Sequence, residues 1–249
     1  MIRVETVAGV TTITLARTDK ANALTAAMLN DIDAAVAAAE ADGARVLILT
    51  GEGKVFSAGA DLDGMKAGLG LSPAWEAASG AIAAFPGLSV AALNGTLAGG
   101  AMGAALACDI RIAEQHAQLA LPEASVGLLP CAGGTQHLSW LVGEGWAKRM
   151  ILCGERVNAE TAQRIGLVEQ VVDTGEARGH ALLLASKVAR QSPVAVRTIK
   201  PLIQGARERS PNTWLSEERE RFVDLFDADD TREGVNAFLE KRDPQWRNK

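Results

Sequence analysis

Residues 89–109 read SVAALNGTLAGGAMGAALACD: a short apolar run, a block of glycine and alanine, and then a charge, Asp109. The block closes a stretch from Ala77 to Cys108 that holds no Lys, Arg, Asp or Glu. The apolar run suits a strand buried on both faces, and the small residues after it suit a loop that feeds a helix. An earlier segment, VLILTGEGKVFSAGADLDGM at 46–65, has the same form. Strands that keep alternating with helices indicate an α/β core.

Outward from these two units the pattern continues. Residues 2–7 and 10–16 alternate around Ala8-Gly9, which predicts a hairpin. Residues 24–41 have helical spacing with Thr25 as N-cap. Strands are expected at 46–50, 89–93, 109–113, 117–121 and 168–172, with helices between them. Composition shifts near Gln191-Ser192-Pro193, and 22 of the 55 charged residues lie in 191–249, where the pattern is helical throughout. The chain therefore divides into a core, 1–190, and a charged helical region, 191–249, expected to pack on that core or on a neighbouring subunit.

At 249 residues with 48% hydrophobic side chains, the chain has enough material for one full core. A net charge of −5 offers no general field for nucleic acid or anionic lipid, so neither is an expected partner. The uncharged stretch contains a GxxxG at Gly99–Gly103, but Pro86, Asn94 and its scarcity of large apolar residues argue against a membrane span. No secretory or transit pattern marks the start, which gives a cytoplasmic expectation. Cys108, Cys131 and Cys153 form no CxxC and are odd in number, so they read as reduced core residues. His116, His137 and His180 are far apart without an HExxH, so a metal has little support.

In the two glycine loops, backbone N–H groups can point at a ligand oxygen with no Cβ in the way, and a helix beginning near Gly100 adds its positive end. Two such groups converging on one carbonyl oxygen make an oxyanion hole. Close helix–strand packing is the other use of small residues. GEGK at 51–54 lacks the spacing of a phosphate-binding Walker loop, Ser57 lacks the first glycine of a nucleophile elbow, and neither loop holds GxGxxG. In LALPEASVGLLP at 119–130, Glu123 stands alone between apolar runs, either at an exposed turn or partly desolvated. Desolvation would raise its pKa and suit it to take and give a proton near neutral pH.

These residues also carry a resemblance. K-A-N-A-L at 20–24, F-S-A-G-A-D-L at 56–62, N-G-T-L-A-G-G-A at 94–101, C-D at 108–109, L-P-E at 121–123, A-G-G-T-Q at 132–136 and A-F-L-E-K-R at 237–242 follow the order of the crotonase, or enoyl-CoA hydratase/isomerase, family. The resemblance covers nearly the whole chain. It implies a spiral of ββα units with a C-terminal helical trimerisation region, assembled as a homotrimer or a hexamer. It implies an acyl-CoA substrate whose thioester enolate is held by two backbone N–H groups, with no cofactor beyond the CoA of the substrate itself. Carried over by position, it places the two donors at Ala60 and Gly100 and a catalytic carboxylate at Glu123. It also places Ala58, Ala60 and Leu62 around the adenine, Lys20 near the CoA phosphates, and Phe238 and Lys241 against a neighbour's CoA. Without the resemblance, Lys20 and Lys241 read as solvated surface charge, and Asp61 as a helix cap.

The family's hydratases carry two glutamates, and this chain has Gly103 where the first belongs. The expectation is an enzyme with one proton shuttle, Glu123, that either hydrates a 2-enoyl-CoA or converts a 3-enoyl-CoA into the 2-enoyl isomer. Asp63 or Glu76 is a candidate replacement acid. Gly103 is expected to leave room for a bulkier acyl group or for an acid carried by the substrate. The alternatives are a CoA-thioester hydrolase, a C–C lyase, or a catalytically silent CoA- or RNA-binding protein on the same scaffold.

Overall fold

The computed structural model describes residues 1–61 and 72–247. It begins with the expected hairpin, in which β1 (Ile2–Val7) and β2 (Val10–Leu15) pair antiparallel. Ala8 and Gly9 have φ of 49° and 75°, the two positive values of a turn whose twist matches its strands. β2 then pairs parallel with β3 (Val46–Gly51), followed by β5 (Leu88–Leu93), β7 (Ile110–Glu114) and β10 (Gln170–Val172) in one six-stranded sheet.

Helices cover both faces of the central strands, which is why β3 and β5 are apolar at almost every position, whereas β1 at the edge carries Arg3, Glu5 and Thr6 and is exposed. The helices of the core are α1 (Ala26–Ala41), α2 (Ser72–Ala84), α3 (Ala101–Ala107), α4 (Gly134–Leu152), α5 (Ala159–Arg164) and α6 (Ala177–Ala189). Leu47 and Leu49 of β3 pack with Leu29 and Ile32 of α1 and Ile82 of α2. The alternate residues Val46 and Ile48 pack with Ala177, Ala181 and Ala185 of α6. Thr25 caps α1 as expected, its hydroxyl accepting from the Met28 N–H at 3.2 Å.

A second sheet, β4-β6-β8-β9, joins β4 (Val55–Ser57), β6 (Thr96–Ala98), β8 (Gln118–Ala120) and β9 (Val157–Asn158). Its strands have three residues or fewer. That is too short for a period to register in sequence, and β4 and β6 lie inside the two glycine segments. Parallel pairing of β4 with β6 and of β6 with β8 brings the ends of these loops together.

Beyond Ser192 come α7 (Pro193–Gly205), α8 (Pro211–Phe226) and α9 (Asp229–Glu240). Lys200 ties α7 to the core: its Nζ donates to the carbonyls of Phe85 and Gly87 and lies 2.8 Å from Asp109 Oδ2. Cys108 is buried and Cys131 half-buried, but Cys153 is exposed at the end of α4, so the three thiols are not all core residues. Among the described residues no helix is long and apolar enough to cross a membrane, and no group of three His, Cys, Asp or Glu is placed to hold a metal.

Candidate active site

The two glycine loops meet at Gly59 and Gly99. Both have positive φ, 99° and 57°, and a Cβ on Gly59 would stand 2.8 Å from the Ala98 carbonyl oxygen and 3.3 Å from Gly99 Cα. Only glycine at Gly59 permits this approach without displacing backbone. Next to that contact, Ala60 forms an isolated parallel bridge with Leu24. The bonds of the bridge belong to its flanking residues: the Leu24 N–H donates to the Gly59 carbonyl at 2.8 Å, and the Asp61 N–H to the Leu24 carbonyl at 2.9 Å. The Ala60 N–H therefore points away from Leu24, and it has no acceptor among the described residues. Gly100 is the N-cap of α3, and its N–H also has no acceptor among the described residues, as expected of a helix start.

Glu123 opens a 3-10 turn, Glu123–Val126, after β8. A Cβ on Gly99 would lie 3.8 Å from Glu123 Oε1, so the carboxylate reaches the same glycine contact. Both carboxylate oxygens are buried and have no hydrogen-bond partner among the described residues. Burial pushes this carboxyl above its ordinary pKa, with a smaller opposing effect from its own backbone N–H. Of the two readings of Glu123 left open by the sequence, the desolvated one is observed. The geometry thus brings Ala60, Gly100 and Glu123 together.

The K-A-N-A-L segment is what fixes the first loop. Asn22 is fully buried with φ 55°; its Nδ2 donates to the carbonyls of Glu52 and Val55, and its Oδ1 accepts from the Arg17 N–H at 2.8 Å. Its own carbonyl accepts from Ser57 Oγ, and the Ala21 carbonyl accepts from the Ala58 N–H. Asp61 accepts from Arg17 Nη1 at 2.5 Å. Ala58 is exposed beside this loop, and Lys20 is exposed at the end of a 3-10 turn, Thr18–Lys20. Leu62 and Asp63 lie outside the described residues. Phe238, 82% exposed, and Lys241 stand at the end of α9, and none of the contacts that join Ala60, Gly100 and Glu123 involves them.

Gly103 sits in the first turn of α3. The expected room beside it is absent: a Cβ there would lie 3.0 Å from Ala132 Cβ, 3.1 Å from the Ala132 carbonyl oxygen and 3.2 Å from that of Cys131. Gly103 is buried, and the chain at 131–132 occupies the place that a side chain would need. Ala132 has φ 52°, an uncommon value for a residue with a Cβ, as the chain turns there into Gly133 and α4. Cys131, half-buried in this wall, has its thiol pushed up by burial first and then by the charges of Glu123 and Glu76. Trp75 is a contributor that the sequence did not single out. A Cβ on Gly100 would stand 2.9 Å from its ring, so α2 holds the second donor loop from behind.

The model of the family described as enoyl-CoA hydratase/isomerase matches residues 5–249. The chain belongs to that family. Its activity is of the enoyl-CoA hydratase/isomerase type, and its fold is that of the crotonases, mixed α/β with C-terminal helices. It is 36% identical to the 2,3-dehydroadipyl-CoA hydratase of Escherichia coli (strain K12) over 95% of this chain and 94% of that protein. Among solved structures it resembles Pseudomonas aeruginosa DspI at 62% identity and TM-score 0.95, covering 99% of this chain and 96% of that one. The enoyl-CoA hydratase of Bacillus anthracis aligns at 34% identity and TM-score 0.95, covering 100% and 99%.

Proposed function

We propose that this family member acts on enoyl-CoA with one carboxylate, Glu123, and two backbone donors, the Ala60 and Gly100 amides. The contact between Gly59 and Gly99 carries this reading, because it sets two acceptor-less amides beside a desolvated carboxylate. The thioester carbonyl oxygen takes both N–H bonds, which strengthen as negative charge gathers on it. One such donor is worth roughly 3 kcal/mol of transition-state stabilisation.

Isomerisation is the reaction this geometry supports best. Glu123 removes a proton from C2 of a 3-enoyl-CoA, the two amides hold the dienolate oxygen, and the same carboxyl returns the proton at C4. The product is the 2-enoyl-CoA, and the carboxylate is regenerated. No second acid is needed, and none stands at Gly103, where a side chain would crowd Ala132 at 3.0 Å. Hydration of a 2-enoyl-CoA is the second reading. It is favoured by the hydratase names of the relatives.

The finer parts of the proposal follow the family resemblance. The backbone at Ala58 and Ala60 holds the adenine and Lys20 the CoA phosphates. Residues 1–190 form the catalytic unit, and 191–249 assemble the chain as a homotrimer or a hexamer in the cytoplasm. In that assembly Phe238 and Lys241 meet a neighbour's CoA; Phe238 is exposed enough to do so. Matched 2-enoyl and 3-enoyl thioesters in deuterated water, with products identified by mass, test the reaction. The expected result is conversion of the 3-enoyl compound with no hydroxyacyl product. A 3-hydroxyacyl-CoA formed from the 2-enoyl compound overturns isomerisation in favour of hydration, and undiminished turnover by Glu123→Gln overturns the role of Glu123.

A further inference from the structure

An isolated bridge joins Leu24 to Ala60, so two backbone bonds hold the first donor where a full strand would supply a ladder. The Leu24 N–H donates to the Gly59 carbonyl. Carbonyl and N–H point opposite ways across a trans peptide, so this bond turns the Ala60 N–H away from Leu24. The tilt of that peptide is not fixed from the side of Gly59, which has φ 99° and the conformational freedom of a residue without a Cβ. The direction of the Ala60 N–H therefore depends on the residue on its other side, Asp61.

Asp61 is tied by a charge. One nitrogen, Arg17 Nη1, donates both to Asp61 Oδ2 at 2.5 Å and to the Ala23 carbonyl at 3.1 Å. Ala23 precedes Leu24 and Asp61 follows Ala60, so the guanidinium spans the bridge as a third tie. Arg17 is itself held: its N–H donates to Asn22 Oδ1 at 2.8 Å, and its carbonyl accepts from the Asn22 N–H at 2.9 Å. The side chains of Arg17 and Asp61 are 24% and 13% exposed, so water and salt screen them less than a pair on open surface.

We infer that Arg17 and Asp61 are positioning residues for the reaction: their ion pair across the Leu24–Ala60 bridge sets the direction of the Ala60 N–H, and through it the polarisation of the thioester carbonyl. The inference rests on the reading of Ala60 as a donor and deepens it. A hydrogen bond weakens steeply as it departs from linear, so a tilted peptide still lets the thioester bind but stabilises its enolate less. An ion pair without that task shifts stability slightly and leaves the bound carbonyl as it was.

The test compares Asp61→Asn, Arg17→Gln, the two combined, and Arg17→Lys. Arg17→Lys keeps the charge, and because a single nitrogen makes both contacts an ammonium can stand in for it. Asp61→Asn is nearly isosteric, so the test stands even if Arg17→Gln fails to fold. Turnover of an enoyl-CoA is measured alongside the infrared carbonyl band of bound butyryl-CoA, isotope-labelled at that carbonyl; this saturated thioester neither isomerises nor adds water. Each single charge removal is expected to lower kcat by about 10- to 100-fold with KM within about twofold, because the loss falls on the transition state. The combined variant should lose no more than the worse single one, and Arg17→Lys should recover part of the loss. The carbonyl band should move toward that of the free thioester in step with kcat. Losses that multiply in the combined variant, single variants within about twofold of the parent, or a fall in kcat with the band unmoved each overturn the inference. Those outcomes leave the proposed function standing; a parent whose bound carbonyl absorbs where the free thioester does sinks the donor reading and the inference with it.

Discussion

Gly59 and Gly99 come so close that a single added methyl on the first would collide with the carbonyl of Ala98 at 2.8 Å. The active-site geometry depends on this approach, because Ala60 and Gly100 are the residues that follow the two glycines.

Gly59→Ala is therefore expected to damage activity more than stability. Forcing an L side chain to φ 99° costs about 1–2 kcal/mol, and the clash adds to it. A shift of about 1 Å between the two donor loops costs on the order of 10²-fold in turnover. Thermal melts and kcat/KM on an enoyl-CoA check both halves. Activity within a factor of about two of the parent would refute the assigned pair of donors.

Glu123→Gln is expected to lower kcat by about 10²- to 10⁴-fold and to leave CoA binding in place. It also makes a prediction about pH. Burial raises the pKa of Glu123 in the folded chain, so its ionised form is disfavoured there. Such a carboxyl favours folding below its unfolded pKa, near 4.3, and that benefit fades as pH rises through the higher folded value. The variant should accordingly melt above the parent at neutral pH, with the gap closing under acid conditions. A parent that is the more stable at pH 7 would show that the carboxylate has a partner in the folded protein.

Asn22 makes five hydrogen bonds from full burial, three through its side chain and one each through its carbonyl and its N–H, and they tie its segment to Arg17 after β2, to Glu52 after β3 and to β4. Asn22→Ala leaves two carbonyls and one N–H without that partner and keeps a Cβ at φ 55°. A loss of about 2–4 kcal/mol is expected from the unpaired groups. Chemical denaturation measures it; a loss under 0.5 kcal/mol, the ordinary range of a surface change, would mean that water replaces the amide.

Much of this was legible in the sequence because long apolar runs and special turn residues leave periodic or local marks. β3, β5 and α1 were visible as runs, and Ala8-Gly9 as a turn. The loop pair and the lone Glu123 were visible as small residues and an isolated acid in apolar surroundings. β4, β6 and β9 were not, because two or three residues carry no period. The contact of Trp75 with Gly100 and of Ala132 with Gly103 was also hidden, since each joins helices or loops that only the folded chain brings together. A glycine in the sequence suggests room at 103, but the Ala132 side chain and the carbonyls of Cys131 and Ala132 take it up.

Restoring the glutamate should for that reason fail to make a better hydratase. In Gly103→Glu the Cβ alone meets Ala132 Cβ at 3.0 Å and two backbone carbonyls at 3.1 and 3.2 Å. The chain at 131–133 would have to move, and Gly133 in that chain carries His137 against it. Overpacking of this kind costs about 1–3 kcal/mol. A carboxylate added beside Glu123 and near Glu76 would also repel both, so one of the acids would take up a proton. The expected outcome is a lower melting temperature, with no gain in 3-hydroxyacyl-CoA formation from a 2-enoyl-CoA. A variant that melts like the parent and hydrates at least about tenfold faster would mean that the 131–132 segment yields readily. The one-carboxylate chemistry would then follow from the residue at 103 alone and not from the wall behind it.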